Sequence, residues 1–132
     1  MKKLILLLLS ITILGCSSNS EKMNTGDKYI AEKSKAEYVD MRFITEKTDG
    51  TSKKKGYFLI EITNSETFNS VLNDDALFKD ECKRIAEFVL NDITIDDMPY
   101  QPYKLQFEVT KTEGNLLAES YVTKKLSLDL AY

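Results

Sequence analysis

The sequence predicts an α+β fold in the order β-β-α-β-β, with a four-stranded antiparallel sheet and one helix packed on one of its faces. Two segments with alternating apolar residues precede residue 64, a segment with helical spacing surrounds Cys82, and two more alternating segments follow Pro102. Each strand therefore has one apolar face and the helix has one apolar stripe, and laying the helix across the sheet buries both. The order of the strands within the sheet stays open.

The first two strands are predicted from alternation with a period of two, which is typical of a strand with one buried face. The predicted inward residues are Val39, Met41 and Phe43 in the first strand and Phe58, Ile60 and Ile62 in the second. Residues 48–56 separate the two strands. They contain Asp49-Gly50 and a second glycine, Gly56, which favour a hairpin connection.

The helix is predicted from apolar residues that are spaced by three and four positions. These residues are Phe78, Cys82, Ile85, Ala86, Val89 and Ile93. Asn73, Asp74 and Asp75 precede the stripe and favour a helix N-terminus, because their side chains accept hydrogen bonds from the first free amides. Pro99 and Pro102 prevent the helix from continuing.

The last two strands follow these prolines. Leu105, Phe107 and Val109 alternate with polar residues, and residues 111–115 predict a turn. Residues 116–130 predict the fourth strand, with a bulge or break near Lys124 and Lys125, where the alternation is disturbed.

Residues 1–15 have the pattern of a signal peptide. Lys2 and Lys3 form a positively charged start, and residues 4–14 are apolar apart from Ser10 and Thr12. An eleven-residue helix is only about 16 Å long, whereas the hydrocarbon core of a bilayer is about 30 Å thick. The segment is therefore too short for a stable transmembrane helix.

The sequence Ile13-Leu14-Gly15-Cys16 follows this apolar segment. It resembles the lipobox of bacterial lipoproteins, in which small or aliphatic residues precede a cysteine that receives a diacylglyceryl group before cleavage. The resemblance covers residues 1–16 and implies a mature chain that begins at an acylated Cys16. Ser17 stands where the inner-membrane retention signal of enterobacteria has Asp, which implies the outer membrane if the source is Gram-negative. An ordinary secreted signal peptide with an incidental cysteine is the alternative.

The chain is accordingly divided into a signal peptide over residues 1–15, a lipidated cysteine with a flexible tether over residues 16–35, and a single α+β domain over residues 36–132. The tether is predicted because residues 17–35 are polar and lack a sustained apolar period. A short helix or an extra edge strand at Tyr29 and Ile30 is the alternative.

The composition argues against several classes of function. Lys and Arg number 18 and Asp and Glu number 21, a net charge of −3, and nucleic acid is disfavoured because phosphate binding needs clustered cations. The chain has no histidine, which removes the commonest general base and zinc ligand. Beyond Cys16 the only cysteine is Cys82, so the domain has no internal disulfide. Its place on the apolar stripe predicts a buried structural thiol rather than a reactive one.

The first candidates for partner binding are Tyr100 and Tyr103. Two prolines within residues 98–103 favour an extended backbone, on which rings three positions apart lie along one edge. Tyrosine offers a large contact area at low entropic cost. Lys53, Lys54 and Lys55 are second candidates, because they would attract an anionic surface. The alternatives are that the rings cap the core and that the lysines form a solvated loop.

Carboxylates are the remaining candidates for chemistry. Five aspartates could form acid–base pairs: Asp74, Asp75, Asp92, Asp96 and Asp97. With 30% charged residues, such pairs are expected by chance. Residues 91–97 superficially resemble the start of a calcium loop, but Asp97 replaces the glycine that such a loop requires, and Tyr103 replaces its last glutamate. No metal or organic cofactor is therefore implied.

These patterns predict a lipid-anchored cell-envelope protein whose domain acts by binding, with an envelope protein or a secreted enzyme as its partner. The membrane is contacted through the lipid at Cys16. A small carboxylate-dependent cell-wall hydrolase is the alternative from another class, and the absence of histidine and of a Gly-x-Ser-x-Gly motif disfavours it. A structural spacer lipoprotein with no specific ligand is the third hypothesis.

Overall fold

The computed structural model describes residues 23–46, 55–93, 101–115 and 118–130, and within these ranges it contains three helices and four strands. In chain order the elements are α1 (Thr25–Ser34), β1 (Ala36–Glu46), β2 (Lys55–Ser65), α2 (Glu66–Asn69), α3 (Asp75–Asp92), β3 (Lys104–Asn115) and β4 (Ala118–Asp129). The α+β class and the four predicted strands are confirmed, whereas the prediction of a single helix is wrong. None of the described helices is long and apolar enough to cross a membrane.

The sheet is mixed, so the prediction of a purely antiparallel sheet is wrong. Its order is β1-β2-β3-β4, with antiparallel pairs at both edges and a parallel pair of β2 and β3 in the centre. The connection between β2 and β3 contains α3, an 18-residue helix. Such a helix is about 27 Å long and returns the chain along the sheet, so β3 begins at the same end as β2. The backbone N–H of Tyr103 accordingly donates to the carbonyl oxygen of Gly56 at 3.1 Å.

Helix α1 lies in the segment that the sequence predicts as a flexible tether, and for residues 25–34 that prediction is wrong. Asn24 is the N-cap, and its side-chain oxygen accepts the N–H of Asp27 at 2.7 Å. The Asp27 carboxylate accepts the backbone N–H of Asn24 in return, which completes a capping box. Burial raises the pKa of Asp27. Ile30 is fully buried in the core, so α1 belongs to the folded domain together with the four strands.

Helix α3 packs its predicted apolar stripe against one face of the sheet. Its buried residues are Phe78, Cys82, Ile85, Ala86 and Val89. Ile93 ends the helix and is partly buried, and the Asp74 side chain caps the first turn by accepting the N–H of Leu77 at 3.1 Å. The facing residues of the sheet include Val39, Phe58, Ile60, Ile62, Leu105, Phe107 and Val109, all buried. Met41 and Phe43 pack against them and are partly buried. The predicted inward faces of the strands and of this helix are therefore confirmed.

The short helix α2 closes one end of the core. The Ser65 hydroxyl accepts the N–H of Phe68 at 3.2 Å and donates to the carbonyl oxygen of Ser34 at 2.5 Å, which ties α2 to the end of α1. Phe68 is fully buried. Its ring centroid lies 5.6 Å from that of Phe78 on α3 and 6.4 Å from that of Phe107 on β3. Phe68 thus joins the helical layer to the sheet.

Gly56 lies within β2, opposite Thr45, rather than in the predicted turn. A Cβ atom at this position would come within 2.4 Å of the Phe43 ring and 2.6 Å of the Ile44 carbonyl oxygen. The glycine therefore permits the Phe43 ring to pass close to the backbone of β2. Lys55 also lies in β2, and the rest of the predicted turn, residues 48–54, lies outside the described residues.

The predicted bulge in β4 is absent from its described pairing with β3, whose register is unbroken from one end of the strand to the other. Lys124 disturbs the sequence alternation because it occupies an inward position. Its ammonium group lies 4.8 Å from the Phe78 ring centroid and donates to the Leu72 carbonyl oxygen at 2.8 Å and to Asp75 at 2.6 Å. A long side chain with an apolar stem can cover apolar surface in this way without a break in the strand.

The opposite face of the sheet, which we call the open face, carries charged side chains in a row across the strands. Arg42 donates to Asp40 and, at 2.6 Å, to Glu61. The next two members of the row are Glu108 on β3 and Lys125 on β4, whose charged groups are 3.5 Å apart. Cations and anions thus stabilise each other along an exposed surface, where each pair contributes about 0–1 kcal/mol.

Candidate binding site at one end of the sheet

One end of the open face brings together residues from all four strands. The end of β1 pairs with the start of β2 through Glu46 and Lys55, and the start of β3 pairs with the end of β4 through Lys104 and Asp129. Because β2 and β3 are parallel, both pairs lie at the same end of the sheet. The side chains that contact each other here form the tyrosine–lysine cluster, which consists of Lys55, Tyr57, Tyr103 and Lys104.

Tyr103 is fixed in this cluster by its backbone and by its hydroxyl group. Its N–H donates to Gly56 at 3.1 Å, and its carbonyl oxygen accepts the N–H of Leu130 at 2.9 Å. The hydroxyl donates to Glu46 Oε1 at 2.7 Å. This hydrogen bond stabilises the protonated phenol and raises the pKa of Tyr103 to about 12. Tyr103 is therefore a neutral, half-buried ring in a defined orientation.

Two lysine ammonium groups lie close to the tyrosine rings. The Nζ atom of Lys55 is 4.2 Å from the Tyr103 ring centroid, and that of Lys104 is 4.8 Å from the Tyr57 centroid and 5.4 Å from the Tyr103 centroid. A cation within about 6 Å of a ring centroid is attracted to the face of the ring. These contacts restrict the lysine side chains, so less rotamer entropy is left to lose when an anionic group binds. The cluster thus places preorganised positive charge beside aromatic surface.

Lys55 and Tyr103, two of the five predicted binding residues, come together in this cluster although they are far apart in the chain. The other three, Lys53, Lys54 and Tyr100, lie outside the described residues. Both hypotheses for Tyr103 find support in its surroundings. The residue is tied to the end of the sheet, as a core cap would be, and it also contributes ring surface beside two cations.

The sequence reasoning missed Tyr57, Lys104 and Glu46. For Tyr57 a signal was available, because it follows Lys55 by two positions and residues two apart on a strand share a face. Lys104 follows Tyr103 directly and was visible as a neighbouring cation. The role of Glu46 could not be seen, since its contact with Tyr103 depends on the parallel arrangement of β2 and β3.

Three of the five candidate aspartates lie on α3 or at its cap, and each has a separate role. Asp74 caps the helix, and Asp75 accepts a hydrogen bond from Lys124, which lowers the pKa of the Asp75 carboxyl. Asp92 accepts the Tyr29 hydroxyl at 2.5 Å. Asp75 and Asp92 are separated by the length of α3, about 25 Å at 1.5 Å per residue. Asp92 therefore does not share a site with Asp74 and Asp75.

Asp96 and Asp97, the other two candidate acids, lie outside the described residues, as does most of the calcium-loop-like segment. In the four ranges that the structure covers, no three side chains of His, Cys, Asp or Glu come together in a way that could hold a metal ion. Within these ranges the tyrosine–lysine cluster is the better candidate for a functional site.

Cys82 is fully buried on the inner side of α3, which confirms the prediction of a structural cysteine. Burial, with a smaller contribution from the nearby Glu81 carboxylate, raises the pKa of the Cys82 thiol to about 12. The thiolate is the nucleophilic form of cysteine. At neutral pH this residue therefore remains a protonated, apolar part of the core.

The described chain is an α+β domain with a mixed sheet, one face covered by helices and one open face that ends in an aromatic and cationic cluster. No protein-family model matches the sequence, and no curated protein or solved structure matches it. Its function is accordingly inferred from its own residues.

Proposed function

We propose that this protein is anchored in the bacterial cell envelope by lipid on Cys16 and that its domain acts by binding an envelope protein or a secreted protein. The anchor is supported by Ile13-Leu14-Gly15-Cys16 after an apolar segment that is too short to span a bilayer. The observation that carries the binding role is the tyrosine–lysine cluster. Aromatic residues are enriched at protein interfaces and often supply most of the binding energy.

The geometry of the cluster favours a partner surface that combines acidic and apolar groups. The ammonium groups of Lys55 and Lys104 lie 4.2 Å and 5.4 Å from the Tyr103 ring centroid, so a carboxylate that pairs with either lysine also approaches the ring. Charged groups of this kind raise the association rate and select against partners of the same sign. The aromatic surface supplies the apolar contact area. Two further lysines, Lys53 and Lys54, precede Lys55 in the chain and add to the positive charge.

Replacing Cys16 by serine is expected to abolish lipid attachment, because a hydroxyl group does not provide the thiol that receives the diacylglyceryl group. Each buried CH₂ contributes about 0.8 kcal/mol to membrane association, so loss of the acyl chains removes the anchor. The Cys16→Ser protein should leave the detergent phase in a detergent-partitioning experiment, or remain as the uncleaved precursor. Cys82→Ala is the matched control and should still partition with the detergent. Cleavage and partitioning of Cys16→Ser like the unchanged protein would refute the anchor.

Replacing Lys55 and Lys104 together by glutamine is expected to weaken partner capture about tenfold, because it removes two preorganised positive charges while keeping chain length. The measurement is titration of a partner isolated with this protein from solubilised envelopes, at low and at high salt. The loss should be greatest at low salt, where charge contributes most.

The matched control is the Lys79→Gln and Lys83→Gln double variant, which removes the same charge from the exposed side of α3. It should bind like the unchanged protein. Tyr103→Phe keeps the ring and loses only the hydrogen bond to Glu46, so it separates stability from binding better than Tyr103→Ala does. If both double variants bind equally well, the cluster is not the binding site.

A further inference from the structure

The two edges of the sheet differ in how their backbone groups are satisfied. On β1, the N–H of Val39 donates to the Met23 sulfur at 3.4 Å and the N–H of Met41 donates to Asp27 at 3.2 Å. The segment that begins α1 therefore covers this edge. On β4, the described part of the chain provides no hydrogen bond to the outward backbone groups. An edge of this kind is ready to pair with another strand.

The directions of two hydrogen bonds identify the outward groups of β4. The N–H of Thr112 donates to Asn64 Oδ1 at 2.9 Å, on the β2 side of β3. The N–H of Leu130, directly after β4, donates to the carbonyl oxygen of Tyr103, directly before β3, at 2.9 Å. Because backbone groups alternate in direction along a strand, even-numbered residues of β4 point toward β3 and odd-numbered residues point outward. The outward N–H and C=O groups belong to Glu119, Tyr121, Thr123, Lys125, Ser127 and Asp129.

The sequence of β4 is complementary to itself when two copies pair antiparallel with the symmetry axis at Val122. In this register Glu119 lies opposite Lys125 of the second copy, and Tyr121 lies opposite Thr123 of the second copy. Each pair occurs twice by symmetry, and all four residues have outward backbone groups that can form ladder hydrogen bonds. Opposite charges placed directly across two strands stabilise the pairing.

Exposed apolar side chains mark the same stretch of β4. Tyr121 is 66% exposed and Val122 is 43% exposed, and both lie at or next to the proposed axis. Lys125 is already paired with Glu108 on the open face, so Glu119 of the second copy would place a second carboxylate beside this cation and extend the charged row into the other molecule. The apolar exposure and the charge pattern thus select the same register.

Other registers fit less well. An axis at Lys124 or at Lys125 would place that cation opposite its own counterpart, which destabilises a strand pair. An axis at Ser127 would pair Lys125 with Asp129 of the second copy, but it would leave Tyr121 and Val122 outside the interface. The axis at Val122 is the register that satisfies both the charges and the apolar surface.

We propose that the β4 edge is a dimer interface, at which β4 pairs antiparallel with β4 of a second copy around an axis at Val122. The two sheets then form one continuous eight-stranded sheet, and the symmetry axis is perpendicular to it, so the helices of both copies lie on the same face. This interface lies at the opposite edge of the sheet from β1 and does not depend on the proposed partner binding. The occupant is a second copy because the charge pattern of the strand complements itself.

The test is disulfide cross-linking of the full chain in the cells that produce it. In the proposed register Val122 faces its own counterpart in a pair without ladder hydrogen bonds, where the Cα atoms are about 4.5 Å apart and a disulfide can form. Val122→Cys should give a covalent species of twice the chain mass. This disulfide-linked dimer should form about tenfold faster than the disulfide-linked dimer of the Leu90→Cys chain, since strand pairing raises the local concentration of the thiols. Leu90 on α3 is a suitable control because it is similarly exposed, at 51%.

Two additional substitutions at Thr123 test whether the dimer depends on backbone hydrogen bonds between the two β4 strands. Thr123→Pro in the Val122→Cys chain removes an outward N–H and should abolish cross-linking, while the hydrogen bonds to β3 remain. Thr123→Val is the matched control, because it also loses the contact between the Thr110 and Thr123 hydroxyls but keeps the N–H. The Val variant should cross-link like Val122→Cys alone.

A charge exchange tests the register. In the Val122→Cys chain, Glu119→Lys should slow cross-linking and the further change Lys125→Glu should restore it. Four outcomes would overturn the proposal: no cross-linking above the Leu90→Cys level, equal cross-linking of the Pro and Val variants, faster cross-linking by Ser127→Cys, or a product whose mass is not twice that of the chain.

Discussion

The Phe68→Ala protein is expected to lose about 3–5 kcal/mol of unfolding free energy, the largest effect of a single side chain that we predict. Phe68 is fully buried, and its ring packs against Phe78 at 5.6 Å and against Phe107 at 6.4 Å between centroids. Its removal would leave a cavity at the point where α2, α3 and the sheet meet. Small domains are stabilised by only about 5–15 kcal/mol, so a large share of the stability would be lost.

Urea unfolding of the purified protein, followed by circular dichroism, measures this effect. Leu77→Ala is the control, because Leu77 is half exposed on α3 and its truncation should cost well below 1 kcal/mol. A loss below about 1.5 kcal/mol for Phe68→Ala would mean that the neighbouring rings close the cavity and that α2 does not hold the two layers together.

The parts of the fold that local periodicity determines could be predicted from the sequence. The alternation of Phe58, Ile60 and Ile62 identified β2, and the stripe through Cys82 identified α3 with its buried side. The direction of β3 relative to β2 could not be derived from alternation, because a strand has the same period in either direction. It follows instead from the length of α3, which carries the chain back to the end where β2 begins.

A short helix at Tyr29 and Ile30 was only the alternative to a flexible tether, because the apolar side of helix α1 consists of few residues. Ile30 is fully buried and Ala31 is buried, while most of the helix is polar. The sequence did contain a better signal than periodicity. Asn24 and Asp27 have the spacing of a capping box, in which each side chain accepts the backbone N–H of the other residue. A cap can therefore identify a short helix whose apolar pattern is too weak to do so.

The candidate site was predictable only in part, for a related reason. The sequence selected Lys55 and Tyr103 separately, from a run of lysines and from a proline-bounded pair of tyrosines. Their meeting at 4.2 Å depends on the parallel pairing of β2 and β3, which brings the starts of both strands to one end of the sheet. Residue type thus identified members of the cluster, whereas topology assembled them.

Gly56→Ala is expected to destabilise the protein by about 3 kcal/mol, the upper range for adding a methyl group to a packed site. The new Cβ would lie 2.4 Å from the Phe43 ring and 2.6 Å from the Ile44 carbonyl oxygen. A ring can move only if its neighbours give way, and the carbonyl belongs to the backbone of the paired strand. The strain would also reach Tyr103, whose N–H donates to the Gly56 carbonyl oxygen.

The same substitution at Gly26 provides the matched control, with the opposite expected sign. There the new Cβ would meet its nearest neighbours at 3.4 Å or more, within the helix α1, so Gly26→Ala should raise stability by up to about 1 kcal/mol. Urea midpoints are measured for both variants, with and without the additional substitution Phe43→Leu. They separate strain against the Phe43 ring from strain against the Ile44 carbonyl oxygen. If the Phe43 ring is the obstacle, Phe43→Leu should cost less in the Gly56→Ala chain than in the Gly26→Ala chain, because the two sites couple. If Phe43→Leu lowers the stability of both chains equally, the strain lies in the contact with the Ile44 carbonyl oxygen. An unchanged urea midpoint for Gly56→Ala would refute the close packing of β1 on β2 at this residue.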